Sequence, residues 1–198
     1  AWGLGEIQAP AAVPELLRHT QSVSKGFRGQ VIRALGSCYD DNVHAELRDS
    51  IHTIVKGALR DSTPDVRISA LLSARHLGYR VMTEEVIRMS RDPSAKVRHV
   101  AVQALGQIGS GQHVPPEGID PIAPVGERRR NNIYEALLVA LDADELQSIR
   151  IKAVRALLQV GDTRVVPQLQ QLLREGTDKD KIEAQRALDR LDLQVAQK

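Results

Sequence analysis

The side chains that could perform chemistry are sparse in this chain and do not assemble into a catalytic pattern. Six histidines, His19, His44, His52, His76, His99 and His113, share no spacing. His44 and His52 lie about two helical turns apart, too far to hold one metal without further ligands. Cys38 is the only cysteine, so it forms no internal disulfide, and no Cys and His group with zinc-finger spacing accompanies it. The phosphate-loop pattern G-x-x-x-x-G-K-[ST], G-x-G-x-x-G after a strand, the G-x-S-x-G elbow and H-E-x-x-H are all missing. The reading is therefore of a chain without catalytic residues, metal ligands or cofactor. What does recur is charge, in two columns that only a repeating scaffold would hold in register.

That scaffold is visible as an internal repeat. Segments starting at Phe27, Val66, Val97 and Ile149 align without gaps, with apolar or small residues at offsets 0, 4, 7, 8 and 11. The third copy reads Val97, Ala101, Ala104, Leu105, Ile108, and the first ends on Cys38, which is thus expected to be a buried thiol. A fifth copy is weaker, with Asp180 at offset 0 followed by Ala184, Ala187, Leu188 and Leu191. This spacing is one face of an α-helix. A second amphipathic segment precedes each, with Leu16 and His19, Val55 and Ala58, Val86 and Met89, Leu138 and Leu141, and Leu169 and Leu172 at offsets −11 and −8. The unit is a helical hairpin of 31 residues, with insertions of eight and 21 accounting for the longer spacings.

The charged columns fall at fixed places in this hairpin. Offset 1 holds Arg28, Arg67, Arg98, Arg150 and Lys181, and offset −5 holds Ser22, Asp61, Asp92, Asp144 and Glu175. The second set lies between the paired helices, where short polar side chains accept from free amides and acids suit a helix N-terminus. A basic residue one step into the next helix can reach the acid of its own or an adjacent hairpin, giving a ladder along the stack.

The pattern D-x-x-x-x-V-R-x-x-A, seen from Asp92 to Ala101 and followed by Ala104-Leu105-Gly106, resembles the short HEAT repeats known as phycobilisome-lyase-like. Their first-helix signature is similar to Gly161 through Leu169 and, in part, to Ala12 through Leu16. The resemblance covers nearly the whole chain outside the long insertion. It implies an all-α fold, an α-solenoid forming a right-handed superhelix of HEAT-type hairpins, and a single domain over residues 1–198. The His-Glu pairs of the di-iron HEAT-repeat hydroxylases are missing. Fold alone leaves function open, because such solenoids serve as scaffolds, enzyme subunits and nucleic-acid binders.

Composition agrees with a helical stack. The 198 residues are 42% hydrophobic and 26% charged, and the apolar share is carried by Leu, Val, Ile and Ala rather than by the five aromatics. So few aromatics argue against base-stacking platforms and sugar clefts. A net charge of +2 implies no global polyelectrolyte partner. No apolar run is long enough to cross a bilayer and the start lacks a secretory pattern, which points to a cytoplasmic protein. Trp2, Leu4 and Ile7 fit the end of an incomplete first repeat over residues 1–8, and the chain starts at Ala1. The expectation is a portion of a longer protein.

Binding is left to the surfaces that the apolar seam does not use. Offsets 3, 6, 9 and 10 of the second helices hold Arg33, Arg75, His76, Gln103, Lys152, Arg155, Gln159, Arg186 and Arg190. The resemblance implies that second helices line the concave side. The first four carry eight Lys or Arg and no acid, four of them ladder arginines, leaving Arg33, Arg75, Lys152 and Arg155 as free cations. They would form a groove for a protein partner with an acidic surface or peptide, acting as a non-catalytic scaffold. The competing reading is a solvated face whose balancing acids lie on neighbouring elements. Two alternatives of other classes are nucleic-acid binding, as in HEAT-like DNA glycosylases, and a bilin lyase-type subunit, for which only the repeat resemblance speaks. The insertion from Gly109 to Arg130 holds four prolines, four glycines and the run Arg128-Arg129-Arg130. It reads as a non-helical loop able to gate or bind, with a helix beginning near Asn131.

Overall fold

A computed structural model describes residues 10–21, 24–39, 45–77, 82–111, 126–143 and 146–196. They contain ten α-helices and no strand: α1 Val13–Arg18, α2 Lys25–Ser37, α3 Ala45–Ala58, α4 Pro64–His76, α5 Thr83–Met89, α6 Ala95–Gly109, α7 Glu127–Ala143, α8 Gln147–Val160, α9 Val166–Glu175 and α10 Asp178–Ala196. Short 3-10 turns at Pro10–Ala12 and Thr163–Val165 lead into α1 and α9. Even-numbered helices are the second helices of the repeat, and each begins two residues before offset zero. The all-helical fold read from the repeat is therefore the observed one. The incomplete repeat over 1–8, with Trp2, Leu4 and Ile7, lies outside the described residues, as do Ser22, Asp144 and most of the insertion.

The same turn chemistry starts second helices in different repeats. Asp61 Oδ1 accepts from the Thr63 amide at 2.8 Å, and Asp92 Oδ1 accepts from the Ser94 amide at 2.8 Å. Such Asp turns engage amides that the incoming helix leaves unpaired. The offset 1 arginine closes the turn from the other side. Arg67 Nη1 donates to the carbonyls of Asp61 and Ser62 at 2.7 and 3.2 Å, and Arg98 Nη1 to those of Asp92 and Pro93 at 3.0 and 3.3 Å. The recurrent pair is thus a clamp on the interhelical turn, which must satisfy its own carbonyls.

The chain divides into two compact units, the first including residues 1–89 and the second including 90–112 and 125–198. In the first, α2 and α4 pack side by side over a core in which Val31, Leu35, Ile51, Val55, Val66, Ala70 and Ala74 are buried. Gly36 sets their separation: a Cβ there would stand 2.6 Å from Ser73 Cβ. Ser73 is itself buried and donates across to the Ile32 carbonyl at 2.8 Å. The carboxylate ladder is present, Arg28 Nη2 lying 2.8 Å from Asp61 Oδ2 of the following hairpin. Cys38 is buried, as its apolar offset implies.

In the second unit α6, α8 and α10 are successive neighbours, with α7 and α9 packed against them. Val97, Ala101, Leu105, Ile149, Ala153, Leu157, Ala184 and Ala187 are all at most 1% exposed. Gly106 repeats the role of Gly36, since its Cβ would fall 2.8 Å from Ala156 Cβ. Both glycines sit at offset 9 and both partners at offset 7, which gives a packing reason for the Ala-Leu-Gly ending. Gly161, with φ 72°, ends α8 in the left-handed region.

Three readings need correction. The segment Gly109–Arg130 is helical at both ends: Gly109 closes α6, and α7 begins at Glu127, so Arg128, Arg129 and Arg130 form its first turn rather than preceding it. Phe27, Val160 and Leu188 are half-buried and His19 is exposed, so not every apolar offset is fully enclosed in the seam. In the last repeat the ladder acid is not Glu175, which accepts from Gln171 at 2.9 Å, but Asp180, 2.8 Å from Arg150. The turn before α10 is only Gly176-Thr177, so no residue remains to form an Asp turn. Thr177 and Asp180 form a capping box instead, the Thr177 amide donating to Asp180 Oδ2 at 3.2 Å and the Asp180 amide to Thr177 Oγ1 at 3.4 Å.

Candidate partner-binding surface

Side chains at offsets 6, 9 and 10 of the second helices reach solvent in both units. In the first, Arg33 on α2 and Arg75 and His76 at the end of α4 are exposed. Burial of the ring and the neighbouring Arg75 guanidinium hold the His76 imidazole below its usual pKa.

The second unit carries the better-defined surface, because there the side chains cross from helix to helix. Lys152 Nζ on α8 donates to Gln103 Oε1 on α6 at 3.3 Å. Arg155, one turn further along α8, makes a two-point contact with Glu183 on α10, Nε–Oε1 2.6 Å and Nη2–Oε2 3.2 Å. Arg186 approaches the same carboxylate at 3.7 Å. The hydrogen bonds from Arg155 hold the Glu183 carboxyl below its ordinary pKa and raise the Arg155 guanidinium in return. Gln159 stays exposed with its carbonyl oxygen over Gly106, 2.5 Å from where a Cβ would stand. Burial and Lys152 together depress the pKa of His99, just inside the rim.

Gln103, Lys152, Arg155, Gln159 and Arg186 therefore lie on three adjacent helices of one unit. Arg155 is not a free cation, contrary to the count over the first four second helices. Its partner Glu183 stands at offset 3 of the fifth copy, and extending the count to that helix would have found it. Arg128, Arg129 and Arg130 are exposed on a first helix. There Arg130 adds to the pull that Arg164 exerts on the Asp162 carboxyl, whose pKa is lowered chiefly by hydrogen bonds from Arg164. Arg164 also lies over the Tyr134 ring, 4.3 Å from its centroid.

Each unit also has a cleft between consecutive first helices, floored by the ladder pair. One of about 470 Å³, between the turn that follows α1 and the end of α3, is lined by Arg28 and Asp61. The other, of about 640 Å³, lies between α7 and α9 over Arg150 and Asp180. Among the described residues no group of three or more His, Cys, Asp or Glu is placed to hold a metal ion, and no helix is long and apolar enough to cross a membrane.

Paired helices whose second members pack side by side, with an arginine and an acid clamping the turns at Asp61 and Asp92, define a helical-repeat protein of the armadillo and HEAT type. The chain carries HEAT repeats: a HEAT profile matches residues 83–112, and the PBS lyase HEAT-like repeat matches 1–22 and 149–175. No curated protein matches the chain significantly. Solved structures of similar fold include an engineered protein at 18% identity and TM-score 0.58, covering 96% of this chain and 88% of that one. A designed armadillo repeat protein in complex with the peptide (KR)4 aligns at 16% identity and TM-score 0.59, covering 96% and 90%. Human deoxyhypusine hydroxylase in complex with glycerol aligns at 17% identity and TM-score 0.52, covering 97% and 77%. At these identities the likeness is one of fold.

Proposed function

We propose that this chain is a non-catalytic interaction module whose second helices receive an acidic segment of a protein partner. The observation that carries the reading is the row on α6, α8 and α10, where the cations Lys152, Arg155, Arg186 and Arg190 outnumber the carboxylates Glu183 and Asp189, Glu183 being held by Arg155 and Arg186. Cross-helix hydrogen bonds hold Lys152 and Arg155 in place, so less side-chain freedom is lost when a ligand arrives. Arg33, Arg75 and His76 supply a smaller basic surface in the first unit. The armadillo neighbour with its (KR)4 peptide supports the idea that such a fold takes a charged peptide. The sign expected here is the opposite one.

A fluorescent twelve-residue oligoglutamate peptide tests this, with an oligolysine peptide and a random DNA duplex as comparators at low ionic strength. The oligoglutamate should bind saturably, weaken as salt is added, and lose at least fivefold in affinity in the variant Lys152→Glu/Arg186→Glu. Arg155 is left in place because reversing it would set two carboxylates against each other at Glu183. Binding of duplex DNA alone would replace this reading with the nucleic-acid one, and no binding of either would remove both.

A further inference from the structure

The cations of the second-unit row are not equivalent. Two of them are engaged in rungs that join offset 6 of one second helix to offset 3 of the next: Gln103 receives Lys152 at 3.3 Å, and Glu183 receives Arg155 at 2.6 and 3.2 Å. On α10, the last helix described, the side chain at offset 6 is Arg186, 71% exposed and without a hydrogen bond among the described residues. Its guanidinium stands 3.7 Å from Glu183, which Arg155 already holds. Arg190, one turn further on at offset 10, is exposed and has neither an ion pair nor a hydrogen bond among the described residues. The other acid nearby, Asp189, takes Gln185 at 2.8 Å. Residues four apart share a helix face with Cβ atoms about 5–6 Å apart, and like charges at that spacing weaken a helix. Two unengaged guanidiniums are therefore kept side by side at a cost to α10.

We propose that Arg186 and Arg190 form a receptor for a phosphoryl group carried on a serine or threonine of the acidic partner segment. The inference rests on the reading of the row as a surface for such a segment and names the group that anchors there. A phosphorylated side chain brings a charge of about −1.5 to −2 at pH 7 and three acceptor oxygens, which two guanidinium forks can share. A carboxylate brings half that charge and leaves one guanidinium unneutralised. It must also compete with Glu183, which stands beside Arg186 on the same helix, and tethered groups act at effective concentrations on the order of millimolar or more. A second carboxylate gains little there; a dianion gains from both arginines. A nucleic-acid backbone fits less well, because it needs cations along its track. The unengaged pair is confined to one turn of α10 and flanked by Glu183 and Asp189.

The test uses three fluorescent twelve-residue peptides, oligoglutamate throughout or with one central residue changed to serine or phosphoserine, titrated into the full chain. The phosphoserine peptide should bind roughly fivefold or more tightly than oligoglutamate, and the serine peptide no more tightly than oligoglutamate. Arg186→Lys/Arg190→Lys keeps both charges and removes both forks, so the preference for phosphoserine over glutamate should fall below about twofold. Both side chains are exposed, and the melting temperature should not change. Arg33→Lys/Arg75→Lys in the first unit should leave the preference intact. In the ¹⁵N-labelled chain the phosphoserine peptide should shift the backbone amides around Arg186 and Arg190 more than oligoglutamate does, which places the group even if the lysine variant melts lower. Oligoglutamate binding as tightly as the phosphoserine peptide would overturn this inference alone, and no binding of either would remove the acidic-segment reading with it. A preference that survives Arg186→Lys/Arg190→Lys, or shifts confined to other helices, would also overturn it. So would duplex DNA that binds more tightly than the phosphoserine peptide.

Discussion

At the scale of single residues, the smallest side chains carry the most specific information. Gly36 and Gly106 are required because α4 and α8 approach too closely for a Cβ, the contacts being to Ser73 and Ala156. Gly57 in α3 offers the reverse case, since a Cβ added there would meet nothing within 4 Å. Gly36→Ala or Gly106→Ala should therefore destabilise by roughly 1–3 kcal/mol through overpacking. Gly57→Ala should stabilise by roughly 0.5–1 kcal/mol by removing backbone freedom from the unfolded chain. Urea unfolding of the three variants checks both signs, and a stabilised Gly106→Ala would mean that α6 and α8 do not pack as described. The small residue at offset 7 was visible in the sequence as part of an apolar stripe. Its pairing with a glycine two offsets on, in the neighbouring repeat, depends on which helices are neighbours and needs coordinates.

At the scale of elements, the repeat was legible because every second helix must present the same face to its neighbours within a unit. Apolar spacing therefore located five hairpins and most buried positions. The ends of the elements were less legible. The register of the acid column failed in the last repeat, where a two-residue turn shifts the task from Glu175 to Asp180, an acid at an otherwise apolar offset. Triple arginine at the start of α7 sits at the helix end where cations are disfavoured, so helix propensity alone did not place that start. The corrected register makes a prediction of its own. Asp180→Ala removes the capping box and leaves Arg150, 19% exposed, without its carboxylate, and should cost roughly 3 kcal/mol. Glu175→Ala removes only an exposed contact from Gln171 and should stay within about 0.5 kcal/mol. Thermal melts of the pair decide between the two registers, and equal losses would restore the sequence-based one.

At the scale of the molecule, charge is nearly balanced overall but unevenly paired, and three histidines and five acids shift in one direction, against Asp142, whose carboxyl pKa burial raises. Burial lowers the pKa of His52, whose Nε2 lies 2.9 Å from the Tyr39 hydroxyl, and burial with neighbouring cations lowers those of His76 and His99. A histidine held neutral in the fold binds its proton more readily once unfolded. Its contribution is therefore complete above the unfolded value near 6.5 and is lost as pH falls below it. The acids act the same way at lower pH. For Asp61, Glu85 and Asp180 burial is outweighed by hydrogen bonds from Thr63 and Arg28, from Lys56, and from Arg150 and Thr177. In Asp162 and Glu183 the arginine hydrogen bonds dominate outright. All five have depressed pKa values, so their stabilisation is present above the ordinary carboxylate range and disappears beneath it. Stability should consequently decline in two stages, gently between about pH 7 and 5.5 and steeply below about pH 4.5. Tyr39→Phe leaves the His52 ring without its hydroxyl partner and should shrink the first stage only if that contact favours the neutral imidazole. A melting temperature that rises on acidification from pH 7 to 5.5 would contradict the lowered pKa values of His52, His76 and His99.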